Sequence, residues 1–577
     1  MRRLVVTALV ILAALTVVSQ AAGQTRALWP GVTHETTVQF RPAGPVVLHV
    51  LTGPRPGGLT TLTPVLSNES IVGRETLTSM QRRLAGSATS AGVNGDLFAL
   101  ATGRPSGILL RDGSLETPPN RERSSAGILA DGTLDIRRVA YQGTWQGSGA
   151  ARALARLNAV PAASGAALFT PAYGPATPAV AGATAVVLFP FPLASPGVDL
   201  PATAVELVPA GAPIAIPIGG AVLVARGASA QAVAAEVVPG ATVTVRLGLT
   251  PDWPGVVGAI GGGPQIVRDA KPVFRAGELF TSGQLNQRSP RSAVGQTADG
   301  RILLVAVDGR QAGYSVGVTN FELAQALVRL GATTAMALDG GGSTTMAFDG
   351  TLLNRPSGPE RAIASALMLV YTGVFVTPPP PVVSPDGDGV DDVARLAYRV
   401  VRPSAVTSKL TAPDGSVVST ETAERQPGSY PVTFPPATTG TAAGAAADGR
   451  WTLTAESVDD LGQTSSMSQS FVVNTTLGFL RFARTLSLPP GGRELPITFR
   501  LTRAARVVAT VETASGVRVR TLARASYPAG EVALAWNGIR SDRKPVVGGR
   551  YVVRVVARNE AGSVEQAKPL VVRRVRG

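Results

Sequence analysis

Residues 302–345 read ILLVAVDGRQAGYSVGVTNFELAQALVRLGATTAMALDGGGSTT. The continuous apolar run Ile302–Val307 reads as a strand, and it stops at Asp308. Thr319 with Glu322 three residues later is a capping box, and Val318 with Leu323 supplies the hydrophobic staple. Leu323, Ala324, Leu327 and Leu330 share one helical face, and Gly331 suits the position just past the helix end. Thr334–Leu338 reads as a second strand, ending on Asp339. The pattern is strand, helix, strand.

Such a crossover joins parallel strands with a right-handed turn. Asp308 and Asp339 are therefore expected at the same C-terminal sheet edge, where open α/β sheets place their ligands. With strands about 4.8 Å apart, the carboxylates are expected roughly 5 Å apart for neighbouring strands, or about 10 Å with one strand between. Those separations bracket retaining and inverting glycoside hydrolysis. Both aspartates also fit the plainer role of starting Asp-Gly turns, as Asp349-Gly350 does in a simple hairpin. For Asp339 that role is weaker. Gly340, Gly341 and Gly342 exceed what one turn requires, and Ser343 and Thr344 set hydroxyls beside exposed amides. A backbone nest of that kind suits an anion. The lysine of a P-loop is absent, which disfavours nucleotide hydrolysis.

The remaining sequence narrows the chemistry. A chain of 577 residues has room for about three or four domains. Cys 0 removes disulfides, thiol nucleophiles and thiolate metal sites. The only histidines, His34 and His49, lie in segments that read as surface strands, so a Ser-His-Asp triad or a multi-histidine zinc site is excluded. Carboxylates, hydroxyls, amides and arginines are left to act. The net charge of +15 is mostly arginine and fits either an acidic envelope polymer as partner or a plain compositional bias. No Lys/Arg block interleaved with aromatics points to nucleic acid.

MRRLVVTALVILAALTVVSQAAGQ has the charged start, short apolar centre and small-residue end of a secretory signal peptide over residues 1–22. No stable membrane span is expected after its cleavage, which places the protein outside the cell, at the cell surface or in a periplasm; an uncleaved anchor is the alternative. A mixed strand–helix domain over 30–373 is followed by a proline-rich linker at 374–384. Two repeats follow, 385–475 and 476–577: ARLAYRVVRPSAVTSKLTAPDGSVV is answered by ELPITFRLTRAARVVATVETASGVRV. Alternating apolar and polar residues make both immunoglobulin-like sandwiches. The expected fold is thus an α+β catalytic domain with mixed sheets and a βαβ unit, then two all-β modules. The first module opens SPDGDGVDD, where Asp386, Asp388, Asp391 and Asp392 read either as a calcium site or as a solvated turn, without EF-hand spacing. No other cofactor is required.

The stretch from Arg291 to Ser357, RSAVGQTADGRILLVAVDGRQAGYSVGVTNFELAQALVRLGATTAMALDGGGSTTMAFDGTLLNRPS, closely resembles the phosphodiester glycosidase family. VNGDLFAL (93–100), LFTPAYG (168–174) and AIGGGPQIV (259–267) extend the resemblance over about 60–373. The C-terminal module resembles the Ig-like domain of flagellar hook-capping proteins, carried by GVRVRTLARASYPAGEVALAWNGIRSDRKPVVGGRYVVRVVA. The first resemblance implies an exported hydrolase that releases an N-acetylglucosamine-like sugar from a phosphodiester in a cell-wall or other acidic glycan. It implies that Asn94, Asp96, Arg291, Asp308, Arg310 and Asp339 through Thr344 line the pocket. Asp339 is then the nucleophile or base and Asp308 its partner, with Asp96 a further catalytic carboxylate. Two other readings are a glycosidase on a non-phosphorylated wall polysaccharide and a non-catalytic glycan-binding surface protein.

Overall fold

A computed structural model describes residues 23–273, 277–434, 446–488 and 494–574. The export segment expected at 1–22 lies outside them. No helix among the described residues is long and apolar enough to cross a membrane. The chain forms two compact units, Met1–Thr372 and Gly373–Gly577, and both are mostly β.

In the first unit, Ile302–Val307 and Ala332–Ala337 are strands and Asn320–Arg329 is the helix between them. Thr319 and Glu322 close the expected capping box. The two strands are not neighbours: Arg291–Thr297 lies between them, antiparallel to each. Ile302–Val307 and Ala332–Ala337 therefore run parallel, one strand apart. The rest of this eight-stranded sheet is a meander from Gln24 to Gly53 on one side and Gln265–Pro272 on the other. Leu323, Ala324 and Leu327 bury the helix against Val305, Val307, Ala335 and Ala337.

A five-stranded antiparallel sheet carries Thr89–Asn94 at its centre, between Met346–Phe348 and Ser365–Tyr371. Trp29 of the first sheet stacks on Tyr371 of the second at 5.8 Å, so the two sheets share an aromatic contact. Asp349 and Gly350, both at positive φ, close the two-residue hairpin between Phe348 and Thr351. A second eight-stranded sheet over 140–250 encloses its own core around Trp145, Leu168 and Leu223.

The second unit holds two similar modules, and the span 374–384 expected as a linker contributes strands Phe375–Val376 and Val382–Val383 to the first of them. Each module pairs a three-stranded with a five-stranded sheet, and strand orders correspond one for one. The seam is hydrogen-bonded: Asp388 of the first module accepts from the Phe479 amide at 2.6 Å and from Gln566 at 2.5 Å, both in the second.

Candidate active site

The sheet edge below Asp339 is where the two first-unit sheets are sewn together. The Asp339 amide donates to Gly95 O at 3.0 Å, Leu338 to Ser292 O at 2.8 Å, and Asn94 to Thr345 O at 3.1 Å. The Asn94 side chain completes the seam. Its amide donates to Asp339 O at 2.7 Å, while its Oδ1 accepts from Ser292 Oγ at 2.6 Å and the Thr345 amide at 3.2 Å. Asn94 is fully buried with these bonds made, so it positions the site from beneath.

That stitching brings Asp96 to Asp339. Asp96 is 2% exposed and its Oδ1 accepts from the Leu97 amide at 2.7 Å. Its Oδ2 has no hydrogen-bond partner among the described residues. A Cβ on Gly107 would stand 2.8 Å from that oxygen, and one on Gly261 would overlap it. These two glycines leave the slot that Asp96 fills. Burial pushes the Asp96 carboxyl up to about 6; Arg123, 3.5 Å away, opposes the rise and the neighbouring Asp339 charge adds to it. Burial likewise lifts Asp339 to about 6, against the Ser343 hydroxyl, the Arg361 charge and the Gly340 amide. Two carboxyls poised near neutrality beside each other are suited to holding and passing a proton.

Asp308 sits elsewhere. It emerges at the same sheet edge, next to Arg291 through the Arg291–Val307 pair, but its buried carboxylate is saturated. It accepts from Asn354 Nδ2 (2.8 Å), Tyr314 Oη (2.9 Å) and the Arg355 amide (3.1 Å), and it contacts His49 Nε2 at 3.2 Å. Asn354 also reaches the Thr344 carbonyl at 3.4 Å. Asp308 is thus a hub that pins the loops bearing Tyr314 and Asn354, and the carboxyl that feels the Asp339 charge is that of Asp96. Both histidines belong to the same buried region, correcting their reading as surface residues: their rings stack at 5.6 Å.

The cleft beside Asp339 is lined by Arg291, Arg310, Gly340 and Gly341, together with Phe280, Gln284 and Gln287. Arg291 donates to the carbonyls of Gln287 (2.8 Å) and Val318 (3.2 Å). Burial and then Arg310 bring its guanidinium down to about 10, still cationic at neutral pH. Neither arginine has a carboxylate within 4.0 Å among the described residues. The nest expected of the glycine stretch is occupied by its own chain, since the amides of Gly341, Ser343 and Thr344 donate to Pro290, Gly340 and Gly341 carbonyls. Ser343 and Thr344 are buried, and the Ser343 hydroxyl serves Asp339. Guanidiniums rather than amides therefore make the cleft positive. Arg123, Arg361, Gln284 and Gln287 escaped the sequence reading because nothing local separates them from surface arginines and amides.

In the second unit Asp386, Asp388 and Asp392 bring one carboxylate oxygen each within 4.8 Å of the others, while Asp391 stands outside the group. Three carboxylate oxygens are half or less of the roughly six to eight that calcium takes. The amides of Gly387 and Gly389 already donate to Asp392 at 2.8 and 2.7 Å.

Comparison with known proteins agrees with the resemblance. The family model described as phosphodiester glycosidase matches residues 204–370, beginning after Asp96, and that of the FlgD Ig-like domain matches 485–561. The chain is 37% identical over 107 residues to the SPbeta prophage-derived uncharacterized protein YomE of Bacillus subtilis (strain 168), covering 18% of this chain and 16% of that one. It is 38% identical over 73 residues to the N-acetylglucosamine-1-phosphodiester alpha-N-acetylglucosaminidase of Bos taurus, covering 13% and 14%. The crystal structure of a hypothetical protein from Synechocystis superposes with a TM-score of 0.51 at 25% identity, covering 61% of this chain and 64% of that one. The chain thus spans 16% or less of the length of the two curated relatives. It carries a domain of the phosphodiester glycosidase family within residues 204–370 and a FlgD Ig-like domain within residues 485–561.

Proposed function

We propose that the first unit is an exported hydrolase that releases an N-acetylglucosamine-like sugar from a phosphodiester-linked glycan of the cell envelope or its surroundings. The observation that carries this reading is the pairing of Asp96 and Asp339 beside two arginines that no described carboxylate neutralises. A glycosyl phosphodiester releases a phosphate monoester, which departs already ionised and needs less protonation than a sugar hydroxyl. Arginine grips such a group with paired hydrogen bonds. Asp339, open to the cleft, attacks the anomeric carbon or activates water there, and Asp96 holds or returns the proton. Asp308 keeps the surrounding loops in place.

The test is hydrolysis of a synthetic N-acetylglucosaminyl phosphodiester beside the corresponding aryl glycoside. We expect the phosphodiester to be preferred, and Asp339→Asn to lower its turnover by about 10³-fold or more with an unchanged circular-dichroism spectrum. Equal turnover of the neutral glycoside would move the assignment to an ordinary glycosidase. Saturable binding of wall polymer without product would make the protein a glycan-binding one.

A further inference from the structure

Each glycine of the 340–342 triplet has a guanidinium lying against it. A Cβ on Gly340 would stand 3.6–3.7 Å from Arg291, and one on Gly341 3.2–3.5 Å from Arg310. One on Gly342 would overlap the Arg361 guanidinium itself. Only Gly341 needs its glycine for the backbone, at φ +64. Gly342 answers instead to Arg361. No side chain fits there while that arginine holds its place.

We propose that Arg361 is a phosphate-binding residue, the third guanidinium of an anion site whose other two are Arg291 and Arg310. This rests on the phosphodiester reading given above. Arg361 is exposed, donates to Ser343 Oγ at 3.4 Å, and lies close enough to Asp339 to oppose the rise of its carboxyl. Yet no described carboxylate lies within 4.0 Å of it, so its charge is not spent on an ion pair. Three cations along one turn of backbone repel one another, and an anion with several acceptor oxygens relieves that repulsion. Phosphate offers those acceptors to planar donor forks, which a carboxylate matches only along one edge. The neighbouring Arg355 supplies a control, because its guanidinium rests on the Tyr314 ring at 4.9 Å rather than on the triplet.

The test is titration of the full chain with inorganic phosphate, followed by calorimetry and by the rise in melting temperature. Arg361→Ala is expected to weaken phosphate binding about tenfold or more, Arg361→Lys to recover only part of it, and Arg355→Ala to leave it within about twofold. The inference is overturned if phosphate does not bind the parent chain, if Arg361→Ala binds it as the parent does, or if Arg355→Ala weakens it equally. Phosphate binding that Arg361→Ala removes, in a chain that hydrolyses no phosphodiester, would sustain this inference while removing the enzymatic reading.

Discussion

Arg123 decides how the Asp96–Asp339 pair titrates. It is the counter-charge 3.5 Å from Asp96, so Arg123→Gln should raise the Asp96 carboxyl above its present value of about 6. Initial rates measured across pH should break near 6 in the parent, with a break moving upward in the variant; the breaks belong to the pair rather than to either residue. His34 produces a different response. Burial, then His49 and Arg26, hold it down to about 4 from 6.5. The unfolded chain therefore takes up the proton first, and stability contributed by neutral His34 is lost as pH falls from 6.5 towards 4. His34→Gln should reduce that acid-side loss by about 2–3 kcal/mol, read from urea midpoints at pH near 7 and near 4.5. Asp339 was legible as a single residue because three glycines in a row demand a reason. Asp96 was legible only through the family resemblance, and its pairing with Asp339 not at all, since the 242 positions between them hide the seam that Asn94 makes.

Among elements, the strand–helix–strand unit could be read directly, because capping, staple and apolar face all agree within one stretch. That a strand, Arg291–Thr297, separates its two parallel members was one of two arrangements the sequence left open, since that strand precedes them and lies outside their local pattern. That insertion carries Arg291 to the rim, between the ends that bear Asp308 and Asp339. The slot for Asp96 is also a property of two elements, the turn at Gly107 and the strand end at Gly261. Gly261→Ala would set a methyl on the Asp96 carboxylate, with Gly107 Cα 2.9 Å away preventing relaxation. We expect a loss of about 1–3 kcal/mol in stability and a fall in turnover at least as large as that of Asn94→Ala. Chemical denaturation and initial rates on one preparation check both.

At the scale of the molecule, every residue of the cleft lies before Thr372. Calorimetry should resolve separate transitions for the two units, and a chain ending at Thr372 should keep phosphodiester turnover within about twofold. The repeat was legible because both copies preserve the same alternation; the bond between them was not, since it runs from a loop at Asp388 to strand residues Phe479 and Gln566, 91 and 178 positions further on. A chain stopped at Val473 would strand Asp388 without Phe479 and Gln566, whereas one stopped at Thr372 disturbs neither partner. Genetic shuffling that copied the first sandwich alone would hand its new host an unmet acid, so that sandwich travels intact only with its successor.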